Sequence, residues 1–177
     1  YFVLSKGHCG PALYAALALK GYFPMSWLDT VNQPGTRLPS HCDRLKTPGV
    51  DMSTGSLGQG VSAAAGIALG LKTQKKPNRV FCVAGDGELQ EGQVWEAAAA
   101  AAHHHLGNFI LFVDENKRQL DGYLCDICNS FDPVEKFHAV GWSAARVCGW
   151  DYTAIERAIL DAKEAPETPH AIVLETE

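Results

Sequence analysis

From about residue 77 onward the chain alternates short apolar runs with helical stretches, and this alternation constrains the fold more than any other feature. Arg79-Val80-Phe81-Cys82-Val83-Ala84 is an apolar run ended by Gly85-Asp86-Gly87, and a helix is expected from near Glu91 to His104. Asn108 to Val113 follows as a second strand, then a helix near Pro133–His138 and a strand from Trp142 to Val147. Thr153 is placed as the cap of a helix reaching Ala165, with Ile155, Ala158, Ile159 and Ala162 on one face. Ala171-Ile172-Val173-Leu174 closes the series. Apolar strands separated by helices form parallel sheets covered on both faces, so the fold class is α/β, a parallel sheet flanked by helices.

Upstream, Leu13–Lys20 and Gly60–Lys72 read as helices rich in Ala and Leu. The Gly/Pro-rich stretch of 33–60 between them is long for a structureless connection, and such loops usually carry function. No linker or repeat divides the 177 residues, which read as a single domain. The formal charge of −5 and the lack of a basic run beyond Lys75-Lys76 argue against a nucleic-acid partner. No apolar run approaches the length of a membrane span. Cys125 and Cys128 form a lone C-x-x-C, without the second pair that a structural zinc site needs. Cys82 and Cys148 lie in or at the end of strands, where buried free thiols belong, and reduced thiols fit a cytoplasmic protein. His103, His104 and His105 point about 100° apart on a helix and do not converge on one ion.

Ligands of open parallel sheets bind beyond the carboxyl ends of the strands. Two of those ends carry unusual polar groups here, Gly85-Asp86-Gly87 and Asp114-Glu115-Asn116-Lys117, one helix and one strand apart. A carboxylate and an amide oxygen at one sheet edge are hard ligands suited to Mg²⁺, which completes its shell with phosphate oxygens and water. Glycines beside Asp86 admit a phosphate close to the backbone, and the helix after it presents free N–H groups.

At these residues the chain resembles the thiamine diphosphate enzymes, and within them the transketolases. The resemblance runs through Phe2–His8 (FVLSKGH), Ser53–Gly60 (STGSLGQG), Gly85–Gly92 (GDGELQEG) and Gln119–Gly122 (QLDG), in transketolase order and over nearly the whole chain. The proportions resemble the amino-terminal subunit of bacterial transketolases split into two polypeptides, truncated at both ends relative to the family. The resemblance implies thiamine diphosphate as cofactor with Mg²⁺ (or Ca²⁺ or Mn²⁺), and transfer of a two-carbon ketol unit between sugar phosphates or sulfosugars. It implies Asp86, Asn116 and the carbonyl of Arg118 as metal ligands, and places Gly85, Asp86, Gly87 and Glu88 in the cofactor-binding loop, with Gly87 N–H on the diphosphate. His8 would meet the diphosphate or the reacting centre, Gly55 and Leu57 the aminopyrimidine, and Leu120 would pack on the cofactor. His41 would face the substrate, while Glu91 and Glu96 would sit where transketolases keep acidic residues linking two cofactor sites.

Glu115 stands where the family's fingerprint has Asn or Asp, a position that is not the principal metal ligand. The glutamate that protonates the aminopyrimidine belongs, in this family, to a pyrimidine-binding domain or subunit. The implied assembly is a heterotetramer built by dimerising the pair, inactive without that partner. A deoxyxylulose-phosphate synthase or a 2-oxo acid dehydrogenase component is the alternative within thiamine chemistry. A non-catalytic nucleotide-binding or regulatory domain is the alternative outside it.

Overall fold

The computed structural model describes all 177 residues. Its centre is a five-stranded, all-parallel sheet in the order β1-β2-β3-β7-β6. The strands are β1 (Phe2–Leu4), β2 (Val80–Gly85), β3 (Phe109–Glu115), β6 (Ser143–Cys148) and β7 (His170–Glu175). The helices are α1 (Gly10–Leu19), α2 (Gln59–Thr73), α3 (Gly92–His103), the single turn α4 (Leu124–Ile127), α5 (Pro133–Ala139) and α6 (Tyr152–Lys163). A two-stranded antiparallel ribbon, β4 (Arg118–Gln119) with β5 (Gly122–Tyr123), stands apart from the sheet.

Successive side chains of β2 and β3 alternate between two apolar layers, as the period of a strand requires. Cys82, Ala84, Leu111 and Val113 face a core shared with α2, α3 and α5. Its aromatic centre is Phe109, Phe137 and Trp142, and the Trp142 indole N–H donates to the carbonyl of Ala98 at 2.8 Å. On the opposite face, Ile110, Phe112 and Ile172 pack against Ile155, Ala158, Ile159 and Ala162 of α6. Leu4 and Val83 pack into a separate cluster around α1 and the 33–60 stretch, which includes Tyr14, Leu38 and Cys42. The aligned register of the central pair, Gly85 beside Asp114, brings both polar strand ends to one edge.

Four details depart from the sequence-based expectations. Phe2–Leu4 is an edge strand, which three residues leading straight into a polar turn do not announce. Between Asp86 and the next helix the chain makes an unanticipated 3-10 turn, Gly87–Gln90, after which α3 begins at Gly92, next to its expected start at Glu91. Cys148 is exposed rather than buried, because β6 is the outermost strand, whereas Cys82 is buried as expected. The cap of α6 is Asp151, whose carboxylate accepts from the N–H groups of Thr153 and Ala154, both at 3.0 Å. Thr153 lies inside the helix, where its N–H is one of the groups being capped.

Asp151→Ala is therefore expected to cost about 1 kcal/mol in urea denaturation. Thr153→Ala, which leaves the cap intact, should cost clearly less.

Candidate active site

Asp86 sits at the carboxyl end of β2 and is nearly inaccessible, at 3% exposure. One carboxylate oxygen accepts from Gly87 N–H at 2.8 Å, the other from Lys117 N–H at 2.6 Å. The second bond ties the β2 loop to the β3 loop. It is possible because Lys117 holds a left-handed φ of 58°, uncommon for a side-chain-bearing residue. Next to it the Asn116 carboxamide oxygen accepts from Arg118 N–H at 2.9 Å. The sheet thus brings Asp86 and Asn116 to the same edge, with the backbone of Arg118 following directly.

Three carboxylates end neighbouring strands here, and two of them have cationic partners. Asp114 pairs with the buried ammonium of Lys6 and accepts from the Thr176 hydroxyl at 2.6 Å. Glu115 receives Arg146 through both oxygens, at 2.8 and 3.0 Å, and Asp132 grips the same guanidinium at 3.1 Å. Asp86 has two backbone N–H groups and no ion-pair partner. Burial pushes its pKa up, the two N–H groups pull it down, and the Asp114 and Glu115 charges add to the rise, so it stays above the usual aspartate range.

A divalent cation would supply the missing countercharge. Asp86 and Asn116 offer one carboxylate and one amide oxygen, a hard donor set that leaves room for a backbone carbonyl, phosphate oxygens and water. Glu115 would not compete for such an ion, because Arg146 engages both of its carboxylate oxygens. A cleft of about 470 Å³ opens beside Asp86, lined among others by Lys117, Leu124 and Glu177.

The remaining candidates surround this edge. His8 is exposed in a 3-10 turn, Gly7–Cys9, just after β1. Partial burial, the Lys6 charge and nearby His41 hold its pKa below the ordinary imidazole value. His41 is exposed, has Ser40 Oγ 3.2 Å from its Nδ1, and packs its ring over Gly55. Gly7 lies so close to the Thr54–Gly55 backbone that a Cβ would come within 2.9 Å of Gly55. The His8 turn and the Ser53–Gly60 loop therefore meet main chain to main chain. Leu57 is 38% exposed and Leu120, at the tip of the β4–β5 ribbon, is fully exposed.

Gly85 is buried and Gly87 N–H is already engaged by Asp86. Glu88 does not face the cleft. The 3-10 turn folds its carboxylate inward, where it accepts from Ser5, Gly58 and Gly85. Glu91 and Glu96 are exposed on the α3 side, and Glu91 lies against Gly58. Cys125 and Cys128 are exposed on and just after α4. The helix expected to reach His104 ends at His103, with His104 as its cap and His105 beyond it.

The whole chain, residues 1–177, matches the family profile described as transketolase, thiamine diphosphate binding domain. The chain belongs to the transketolase family. It is 53% identical to the 6-deoxy-6-sulfo-D-fructose transketolase subunit SqwG of Clostridium sp. (strain MSTE9), over 98% of this chain and 63% of that protein. It is 37% identical to an apulose-4-phosphate transketolase subunit of Actinobacillus succinogenes, over 99% of this chain and 63% of that one. The chain thus spans less than two thirds of either relative. Among solved structures, Pichia stipitis transketolase in complex with sedoheptulose 7-phosphate superposes with a TM-score of 0.95 at 34% identity. The match covers 99% of this chain and 28% of that one. The α/β fold and the thiamine diphosphate binding domain expected from the sequence are both established by these matches.

Sequence reasoning missed the ion pairs that surround Asp86. Lys6 lies within the Phe2–His8 motif, and a lysine two residues beyond an apolar strand was the available signal. Removing it leaves Asp114 unpaired, so Lys6→Met is expected to cost about 2 kcal/mol, less than a fully buried pair because Asp114 keeps 25% side-chain exposure. Burial raises the Asp114 pKa and Lys6 and Thr176 lower it, with the net shift downward. A depressed carboxylate contributes stability above its unfolded pKa and loses it as pH falls through the folded one. The gap between wild type and Lys6→Met should therefore persist at neutral pH and close below about pH 4 in thermal melts.

Proposed function

We propose that this chain supplies the diphosphate and metal site of a thiamine diphosphate-dependent transketolase, which transfers a two-carbon ketol unit from a ketose to an aldose. The observation that carries the proposal is the junction of Asp86 with Lys117 N–H, which presents one uncompensated carboxylate and Asn116 at one sheet edge. In this reading Asp86, Asn116 and the Arg118 carbonyl hold Mg²⁺, with Ca²⁺ or Mn²⁺ as substitutes. Gly85 and Gly87 line the diphosphate, and Gly55, Leu57 and Leu120 contact the rest of the cofactor.

Thiamine diphosphate held there by Asp86, Gly87, Gly55 and Leu57 would supply the electron sink that ketol transfer needs. The chain's own residues orient and move protons. His8, held neutral near pH 7 by its depressed pKa, accepts hydrogen bonds and protons at the reacting centre. His41, fixed by Ser40 and Gly55, meets substrate hydroxyls. Leu57 and Leu120 present apolar surface that excludes water from the cofactor.

The substrates are ketoses ending in an anionic group, a phosphate or a sulfonate, in keeping with the relatives named above. Residues 1–177 act as one cofactor-binding domain of a longer family arrangement. It works with a pyrimidine-binding subunit or domain in an assembly dimerised through the Glu91 and Glu96 side, a heterotetramer where the two are separate polypeptides. Six unpaired thiols fit a reducing, cytoplasmic setting. No helix is long and apolar enough to cross a membrane.

Calorimetry on the assembly should show thiamine diphosphate binding that depends on Mg²⁺, and Asp86→Ala should weaken it by about 100-fold, the worth of one strong contact to a charged group. Ketol transfer from xylulose 5-phosphate or 6-deoxy-6-sulfofructose, with no turnover of pyruvate, separates this reading from the other thiamine enzymes. Binding that ignores both Mg²⁺ and Asp86→Ala would instead favour a regulatory nucleotide-type domain.

A further inference from the structure

Glu88 is 2% exposed and has no cationic partner among the ion pairs of the structure. Its carboxylate is nonetheless fully engaged. One oxygen accepts from the Ser5 hydroxyl and from Gly58 N–H at 2.7 Å, and the other accepts from Gly85 N–H at 3.3 Å. These donors come from three different segments: the end of β1, the loop that leads into α2, and the end of β2. Each segment carries a different part of the candidate site. Ser5 precedes His8, Gly58 follows Gly55 and Leu57, and Gly85 precedes Asp86.

The packing around the carboxylate leaves no slack. Gly60 lies against Ser5, where a Cβ would come within 2.4 Å of the Ser5 hydroxyl oxygen. Thr54 donates its hydroxyl to the carbonyl of Leu4 at 2.6 Å, a second tie between the loop and the end of β1. Gly58 stands at the start of α2 with a left-handed φ of 81°, so its N–H is the last fixed donor before the helix. Held this way, the loop bearing Gly55 and Leu57 has a set position relative to the strand end that bears Asp86.

We propose that Glu88 is a positioning residue: its buried carboxylate sets the distance between the part of the site that receives the thiamine rings and the part that receives the diphosphate and metal. The inference rests on the cofactor reading above. It gives Glu88 a task through Ser5, Gly58 and Gly85 rather than a contact with the cofactor. Both carboxylate oxygens only need to accept, which a glutamine side chain does not reproduce. An amide has one accepting oxygen and one donating NH₂. Ser5 reorients its hydroxyl to suit either group, but a backbone N–H does not. In Glu88→Gln, either Gly58 or Gly85 therefore loses its acceptor inside the protein, while the volume of the side chain is kept.

The test uses the assembled enzyme and titrates thiamine diphosphate at saturating Mg²⁺. For Glu88→Gln the expected result is a rise of at least tenfold in the KM for thiamine diphosphate, with kcat at saturating cofactor within threefold of wild type. Hydrogen exchange of the cofactor-free protein should accelerate in the peptides containing Gly58 or Gly85 and stay unchanged in α6. A merely structural role would instead lower the melting temperature of the cofactor-free protein and leave the KM for thiamine diphosphate alone, and that result overturns the proposal. Should Glu88→Gln fail to fold, Ser5→Ala removes one donor from the same carboxylate; about a threefold rise in that KM supports the role and an unchanged KM overturns it. A wild-type assembly indifferent to thiamine diphosphate and Mg²⁺ defeats the cofactor reading and this inference with it. An assembly that needs both, equally with and without Glu88, defeats the positioning role alone.

Discussion

Parallel pairing of β2 with β3 in aligned register places Gly85 opposite Asp114, and the chemistry of the site follows from that single constraint. Because parallel strands end at the same edge, the polar residues that terminate them accumulate there instead of dispersing over the surface. Asp86, Asp114 and Glu115 would repel one another at such separations, which is the condition for either strong ion pairing or a bound cation. Lys6 and Arg146 answer the repulsion at two of the three positions. The third, Asp86, has no cationic partner in the chain, and in the proposed reading a metal ion would take that place. In that reading a cation site would be made by neutralising the neighbours of Asp86 as much as by the ligands themselves.

The same logic separates the two buried carboxylates of the β2 turn. Asp86 and Glu88 are two residues apart and equally inaccessible, yet they face opposite ways. Asp86 accepts from two backbone N–H groups and lines the cleft. Glu88 takes donors from three segments on the interior side and is satisfied without any ion. A 3-10 turn, with three residues per turn, produces this division over four residues.

Much of this was legible in the sequence. The alternation of Val80–Gly85 and Phe109–Glu115 with helices implied the parallel sheet, and the spacing of Asp86 from Asn116 put both at one edge. What was not legible has physical reasons. Phe2–Leu4 becomes a strand only because β2 offers a free edge to pair with, which is a tertiary effect. Thr153 looked like a helix cap because threonine favours that position, but Asp151 lies one residue before the helix and is the stronger acceptor. Cys148 looked buried because strand ends in such sheets usually are, and only the strand order reveals that β6 has an open side. Glu88 read as part of the cofactor loop by adjacency; the direction in which a short turn throws a side chain is not encoded in spacing.

In the proposed reading the domain is completed from outside, by cofactor and metal. A buried aspartate held above its normal pKa stores unfavourable electrostatic energy in the cofactor-free state, and a fully exposed leucine at a ribbon tip adds unburied apolar surface. In the proposed reading both costs would fall when a metal-bound diphosphate and the cofactor's rings arrive, since a ligand that binds only the folded state stabilises it, more so the tighter it binds. The energy held at Asp86 and Leu120 would then be recovered on binding, whereas the Lys6–Asp114 and Glu88 networks are satisfied within the chain itself. In that reading the frame is fixed by groups that are satisfied internally, and the affinity would come from groups that are not.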